Sequence, residues 1–296
     1  MPQKKNWFLV ANATAGRGKA SNTIDNVMQA LNHKGIEYEI GLTKYPKHGI
    51  ELSRLASQNG YGTIVAIGGD GTINEVANGI MLSQKKVKMG IIPEGGGNDF
   101  AKMFSIPRNV HAAVNLLQHG HSHKIDVGKF NSTYFVNVLG IGLDAVVAKL
   151  AAANTNLNGL ARYMWALFKA LKTLDYYQLQ IKTAELEETR KLLLLSIGNG
   201  QFCGGGFRLT PTAKADDGKL NICAVDALSR AKIIKFLPKA IKGKHLGLPV
   251  VECFHASQIQ ISSEFPIPLY YDGEVVSKPL KKITIELLPQ ALELVY

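Results

Sequence analysis

The stretch Thr63-Ile64-Val65-Ala66-Ile67-Gly68-Gly69-Asp70-Gly71-Thr72, continuing as Ile73-Asn74-Glu75-Val76-Ala77-Asn78-Gly79-Ile80, decides the fold. Thr63 to Ile67 is a short run rich in β-branched side chains, the mark of a buried parallel strand. Three glycines then surround one aspartate. Thr72, with Glu75 three residues on, has the spacing of a helix N-cap and capping box. The pattern is strand, glycine turn, helix. Such a junction leaves backbone N–H groups at the positive end of a helix dipole, where a phosphate binds. Asp70 is out of place beside an anion unless a cation lies between them. Together these features point to a metal–nucleotide complex. A plain tight turn with an Asx-type aspartate is the alternative the residues leave open.

The flanking sequence repeats this pattern. Trp7 to Asn12 reads as a strand, Ala13 to Lys19 as a loop, and Ala20 to Lys34 as a helix stopped by Gly35. Ile36 to Leu42 alternates like a strand, and Ile50 to Asn59 is helical up to Gly60. Lys88 to Ile92 is a further strand, Pro93 to Gly97 a glycine turn, Asn98 to Phe104 a short helix, and Val110 to His119 another helix. Strand–helix alternation with short connections predicts a doubly wound, Rossmann-like α/β domain. Ligands in such sheets bind at the carboxyl ends of the strands, where the loops after Asn12, Ile67 and Ile92 all fall. Two better-known nucleotide motifs fail on spacing. Ser21 stands where the dinucleotide fingerprint needs a third glycine, and Lys19 is followed by Ala20 rather than the Ser or Thr of a P-loop.

The pattern changes near Ser122. Lys124 to Phe130 and Thr133 to Leu139 read as a hairpin, and Gly140 to Ala152 and Leu157 to Leu174 as helices. Strands then dominate: Tyr177 to Thr183, Lys191 to Gly198, Lys219 to Val225, Val250 to Phe254, Gln258 to Ser262, Leu269 to Tyr271 and Ile283 to Leu287. This predicts a C-terminal β-rich, sandwich-like domain. The expected division is 1–124, 125–288, and a segment 289–296 that returns to the first domain. One basic amphipathic helix, Arg230 to Lys242, interrupts the strands, and Pro238 is expected to kink or end it.

With 296 residues, 46% apolar and 19% charged, the chain has ample core and is not disordered. A net charge of +11 favours an anionic partner: nucleotide, nucleic acid or anionic lipid surface. Cys203, Cys223 and Cys253 are widely spaced, with no zinc pattern or disulfide framework, which places the chain in a reducing cytosol. The apolar run Trp7 to Ala11 is too short for a signal peptide or a membrane span.

Gly68-Gly69-Asp70-Gly71-Thr72 followed by Asn74-Glu75-Val76 resembles the signature of the diacylglycerol-kinase and sphingosine-kinase superfamily, which includes NAD kinases. The chain is most similar to the soluble bacterial diacylglycerol and lipid kinases. Asn12 to Gly18 resembles the family's Asn-Pro-x-x-Gly-x-Gly, with Ala13 in place of proline. Pro93 to Ala101 resembles Pro-x-Gly-Thr-x-Asn-Asp-Phe-Ala, with Gly96 in place of a nucleotide-binding threonine. Losing that hydroxyl removes one hydrogen bond, about 0.5–1.5 kcal/mol net.

The resemblance implies an ATP- and Mg²⁺-dependent kinase that phosphorylates a lipid hydroxyl, most of all that of diacylglycerol. The nucleotide would be held by Asn12, Thr43, Gly68, Gly69, Asp70, Gly71, Thr72, Asn74, Gly96 and Asn98. Asp70, Asp99 and Asp126 would hold magnesium, largely through water. Asp217, with the carbonyls of Lys214 and Lys219, would hold a second, structural Mg²⁺. In Asp272-Gly273-Glu274, Glu274 would take the hydroxyl proton and Asp272 would cooperate. Read without the resemblance, both Asp-Gly pairs are simply turns. The expected partners are ATP and a lipid approached at the membrane surface, not nucleic acid. A homodimer is implied by resemblance alone. The expected location is cytoplasmic and peripheral to a membrane. The other readings are a kinase for a sphingoid base, an isoprenoid alcohol or NAD, and a nucleotide-binding regulator with a weakened site.

Overall fold

Val65 and Ile67 are enclosed on one face of their strand, and Ile64 and Ala66 on the other. A strand of this kind needs cover on both sides, which crossover helices supply. The computed structural model describes residues 7–12, 19–154, 156–157, 159–278 and 280–296. The chain divides into one unit of Met1–Asp126 with Gln290–Tyr296 and a second of Val127–Pro289. The loop expected over Ala13 to Gly18 lies outside the described residues.

The elements of the first unit are β1 (Trp7–Ala11), α1 (Lys19–His33), β2 (Tyr38–Leu42), α2 (His48–Gln58), β3 (Thr63–Gly68), α3 (Asp70–Ser83), β4 (Lys88–Pro93), α4 (Asp99–Met103) and α5 (Val110–His119). β5 (Ser122–Phe130) leads into the second unit. There follow β6 (Thr133–Phe135), β7 (Val138–Gly142), α6 (Leu143–Ala153), α7 (Gly159–Ala170), β8 (Tyr177–Lys182), β9 (Glu187–Gly198), β10 (Leu220–Asp226), α8 (Arg230–Ile241), β11 (Val251–Ala256), β12 (Gln258–Ile267), β13 (Leu269–Tyr271), β14 (Glu274–Val275) and β15 (Leu280–Val295).

In the first unit the strands run parallel in the order β2–β1–β3–β4, and Glu293 and Leu294 of β15 pair in parallel with β4. One face carries α1 and α5, with Val27, Leu31, Val114 and Leu117 packed on Leu9, Val65 and Ile67. α2 and α3 pack on each other closely because Gly79 has no side chain. A Cβ there would stand 1.9 Å from Ser53 Oγ. This is the doubly wound plan.

The second unit is antiparallel, in the order β14–β13–β7–β9–β8–β12–β15, with β10 between β9 and β11. One face of this sheet builds a core from Phe135, Leu139, Ile181, Ile197, Ile222 and Ile261. The other is covered by α6, α7 and α8 through Val147, Leu167 and Ile233. The β-rich, sandwich-like expectation holds.

Several local expectations are corrected. α3 starts at Asp70 with Gly69 as N-cap, because Ile73 N already donates to Gly69 O at 3.0 Å. Thr72 is therefore inside the first turn. Glu75 is no capping-box partner; its carboxylate accepts the backbone N–H groups of Lys47 and Gly49, both at 2.8 Å, at the start of α2. Gly140 to Gly142 belong to β7 rather than to a helix. α8 runs on through Pro238 to Ile241. The last strand extends from Leu280 to Val295, well beyond Ile283 to Leu287, with Gln290 at a positive φ of 50°. Asp126 is what secures that bend, since its Oδ1 accepts the Gln290 N–H at 2.8 Å.

Candidate functional site

In the first unit the parallel strands end together, and the site residues gather at those ends. Asn12 follows β1 and donates its backbone N–H to Ile67 O at 3.3 Å. Thr43 follows β2 and donates to Ala11 O at 2.9 Å. β1 and β3 are the pair at which the strand order reverses, the usual place for a ligand in an open α/β sheet.

The turns after β3 and β4 touch. Glu94 N donates to Gly68 O at 2.8 Å, and a Cβ on Gly95 would lie 2.6 Å from Gly69 Cα. Only glycine allows that approach. Asp70 stands in the first turn of α3 and spans the two turns, its Oδ1 accepting the Phe100 N–H at 3.0 Å. Asn98, at φ 53°, accepts the Gly95 N–H on its Oδ1 at 2.7 Å. Its Nδ2 is buried with no hydrogen-bond partner among the described residues. Asp99 is buried and meets Lys102 Nζ at 3.0 Å. Thr72 and Asn74 are buried too, Thr72 against Gly68 and Asn74 beside Asn78 at 3.1 Å. Gly96 is exposed. Gly68, Gly69, Gly71, Asp70, Asn98 and Asp99 thus form one cluster. Asp126 belongs instead to the strand bend described above.

In the second unit Asp272 is buried at φ 44° and acts as a clamp. Its Oδ2 accepts the Val136 N–H at 2.7 Å, and its Oδ1 accepts those of Asn137 and Val138, each at 2.9 Å. That clamp fixes the turn from β13 into β14 on the segment between β6 and β7. Glu274 opens β14, opposite Tyr271, and is exposed. Asp217 is elsewhere in this unit, in an exposed turn where its Oδ1 accepts the Lys219 N–H at 3.1 Å. Lys214 and Lys219 are exposed beside it.

The sequence reading missed a second feature of this unit. Between the sheet and α6, α7 and α8 lies a cavity of about 130 Å³, walled by Val147, Leu167, Leu194, Val225 and Phe236, with Asp144, Tyr163, His245 and Tyr270 as polar groups. Asp144 Oδ1 accepts the Ala145 N–H at 2.9 Å, and its Oδ2 is buried without a partner among the described residues. Burial holds the Asp144 carboxyl well above the usual carboxylate range and pushes the Tyr270 hydroxyl up as well. Gly140 makes the room, since a Cβ there would stand 2.1 Å from Asp144 Oδ2. The available signal was Gly142-Leu143-Asp144, another strand–glycine–helix junction with an early aspartate.

Comparison with known proteins agrees with this plan. Residues 6–130 match the diacylglycerol kinase catalytic domain, and residues 137–296 match the YegS C-terminal NAD kinase beta sandwich-like domain. A diacylglycerol kinase of Staphylococcus saprophyticus subsp. saprophyticus is 30% identical over 277 residues, 93% of this chain and 90% of the relative. The chain belongs to the diacylglycerol kinase family. Another member, from Staphylococcus aureus strain MRSA252, is 30% identical over 93% of this chain and 88% of its own length. The solved structure of a candidate diacylglycerol kinase from Bacillus anthracis str. Sterne is 26% identical and superposes with a TM-score of 0.83, covering 99% of this chain and 98% of that one. Membership of this family makes the chain a lipid kinase. Among the described residues no helix is long and apolar enough to cross a membrane.

Proposed function

We propose that the chain is an ATP- and Mg²⁺-dependent kinase that transfers the γ-phosphoryl group to the free hydroxyl of diacylglycerol, giving phosphatidic acid. The observation that carries this reading is the contact between Gly69 and Gly95. It brings two glycine turns together at the strand ends, so that backbone N–H groups and one carboxylate face the same place. Gly68, Gly69, Gly71, Asn12, Thr43, Gly96 and Asn98 bind the nucleotide, and the unpartnered Asn98 Nδ2 suits a phosphate or ribose oxygen. Thr72 and Asn74, being buried, hold the turn in shape.

Mg²⁺ takes oxygen ligands and keeps several waters. Asp70, which is only partly buried, fits such an ion, with Asp99, bonded to Lys102, in support through water, whereas Asp126 stands at the strand bend outside that cluster. When bound, the ion neutralises charge on the phosphates. The exposed Asp217 turn, with the carbonyls of Lys214 and Lys219, offers oxygen donors for a second, structural ion. Glu274 takes the proton from the attacking hydroxyl, and Asp272 positions Glu274 by locking its turn.

The cavity beside Asp144 supports an acceptor with an apolar portion, because an apolar cavity of this size takes up a group about as large as a benzene ring. Approach from the water side is supported by exposed Trp165 and Phe168 on α7 and exposed Ile234 among the lysines of α8. Radiolabelled ATP offered with diacylglycerol, a sphingoid base, an isoprenoid alcohol and NAD tests the reading. Labelled phosphatidic acid is expected. Transfer to a different acceptor alone would replace the substrate, and no transfer to any would overturn the kinase reading.

A further inference from the structure

The three cysteines are far apart in sequence, yet two of them meet in the fold. Cys223 of β10 and Cys253 of β11 are direct partners across an antiparallel pair. Opposed residues in such a pair have Cα atoms about 4.5–5.5 Å apart, with side chains on one face. A disulfide needs about 4.4–6.8 Å. The two sulfurs differ in access. Cys253 is exposed on a strand that, among the described residues, pairs only with β10, whereas Cys223 is fully buried in the apolar cluster with Val225 and Ile233. Cys203, also buried, belongs to a different cluster with Val138 and Leu209.

We infer that Cys253 and Cys223 form a thiol–disulfide couple, with Cys253 the thiol that attacks low-molecular-weight disulfides and Cys223 the resolving thiol. The Cys253 thiolate attacks one sulfur of the small disulfide, whose S–S bond breaks and releases one thiol. The Cys223 sulfur then attacks that of Cys253, its proton passing to the departing small thiolate. The mixed bond breaks, the second thiol leaves, and a bond closes between β10 and β11. The chain is oxidised by two electrons and the small disulfide is reduced to two thiols. The hydrogen bond between the sulfurs lowers the Cys253 thiol and, with burial, raises that of Cys223, the division of labour such a couple needs. The couple stands independently of the kinase reading. Its consequence reaches the cavity, since Val225 and Val251, two pairs along the same strands, line it.

The reduced full chain treated with oxidised glutathione, followed by intact mass and peptide mapping, tests this. Two thiols should disappear together, with the loss of two hydrogens and a cross-linked peptide joining Cys223 to Cys253. Cys223→Ser should stop at a glutathione adduct on Cys253, and Cys253→Ser should leave Cys223 unreacted. Cys203 should react at least about tenfold more slowly than Cys253. A lasting Cys253 adduct in the unaltered chain, no thiol loss, or first reaction at Cys203 would overturn the inference. Mapping on the unaltered chain decides the matter even if a variant fails to fold.

Discussion

Two strand-to-helix junctions in this molecule share one local plan and have opposite surroundings. At the end of β3, Gly68 and Gly69 precede Asp70 in the first turn of α3. At the end of β7, Gly142 precedes Asp144 in the first turn of α6. Asp70 is partly open to solvent, among backbone N–H groups and a second glycine turn. Asp144 has an oxygen sealed against an apolar cavity. The first keeps an opening to water, where the proposed cation would meet it; the second is driven toward its neutral form by loss of water. A motif of glycines and an acid therefore fixes where a carboxylate stands, while its neighbours fix which chemistry it does.

The sharpest way to break this contrast is through the charged members. Asp70→Ala and Glu274→Ala should each lower lipid phosphorylation at least about 10²-fold, the scale of a lost general base or electrostatic group. Initial rates at saturating ATP and lipid check this. Full transfer by Glu274→Ala would remove that residue from the reaction.

Asp272 should report on stability as well as rate. Asp272→Ala leaves three backbone N–H groups without their acceptor, at a cost of at least about 3 kcal/mol. Urea denaturation should register that loss, and a variant as stable as the parent would show that the clamp contributes nothing.

Gly95→Ala is a smaller perturbation. Its Cβ would meet Gly69 Cα at 2.6 Å, so the turns must separate, at about 1–3 kcal/mol. KM for ATP should rise several-fold while lipid KM stays unchanged. A rise in lipid KM instead would place the acceptor at the glycine turns.

Asp144 sharpens the other side through pH. Its folded-state pKa is raised from 3.8, so the folded chain holds the proton more tightly. That contribution is complete below the ordinary carboxylate range and fades as pH rises toward the raised value. Asp144→Asn cannot ionise. Its stability relative to the parent should therefore climb with pH across that window, by about 1.4 kcal/mol per pH unit. Thermal melts at several pH values would show a flat difference if Asp144 were solvated.

The parallel half of the fold was legible because periodicity and glycine stops are local. β3, β4 and α5 lie where Thr63 to Ile67, Lys88 to Ile92 and Val110 to His119 place them. Glu75 was misread because its partner is the start of α2, 26 and 28 residues away, and capping spacing cannot see a tertiary donor. The last strand was read only from Ile283 to Leu287, yet it runs on past Gln290, whose N–H Asp126 accepts at the bend. Beyond the Gly142-Leu143-Asp144 junction the cavity had no motif, since its walls come from α6, α7, α8 and four strands. The pairing of Cys223 with Cys253 was equally hidden, because strand register rather than spacing creates it.

The most direct test is protection against heat. A ligand that binds only the folded chain stabilises it by about 2.7 kcal/mol at a hundred times its Kd. Millimolar ATP with magnesium should raise Tm of the parent chain by several degrees and leave Asp70→Ala unmoved. If the parent chain melts at the same temperature with and without the nucleotide, the glycine turns and Asp70 do not bind it.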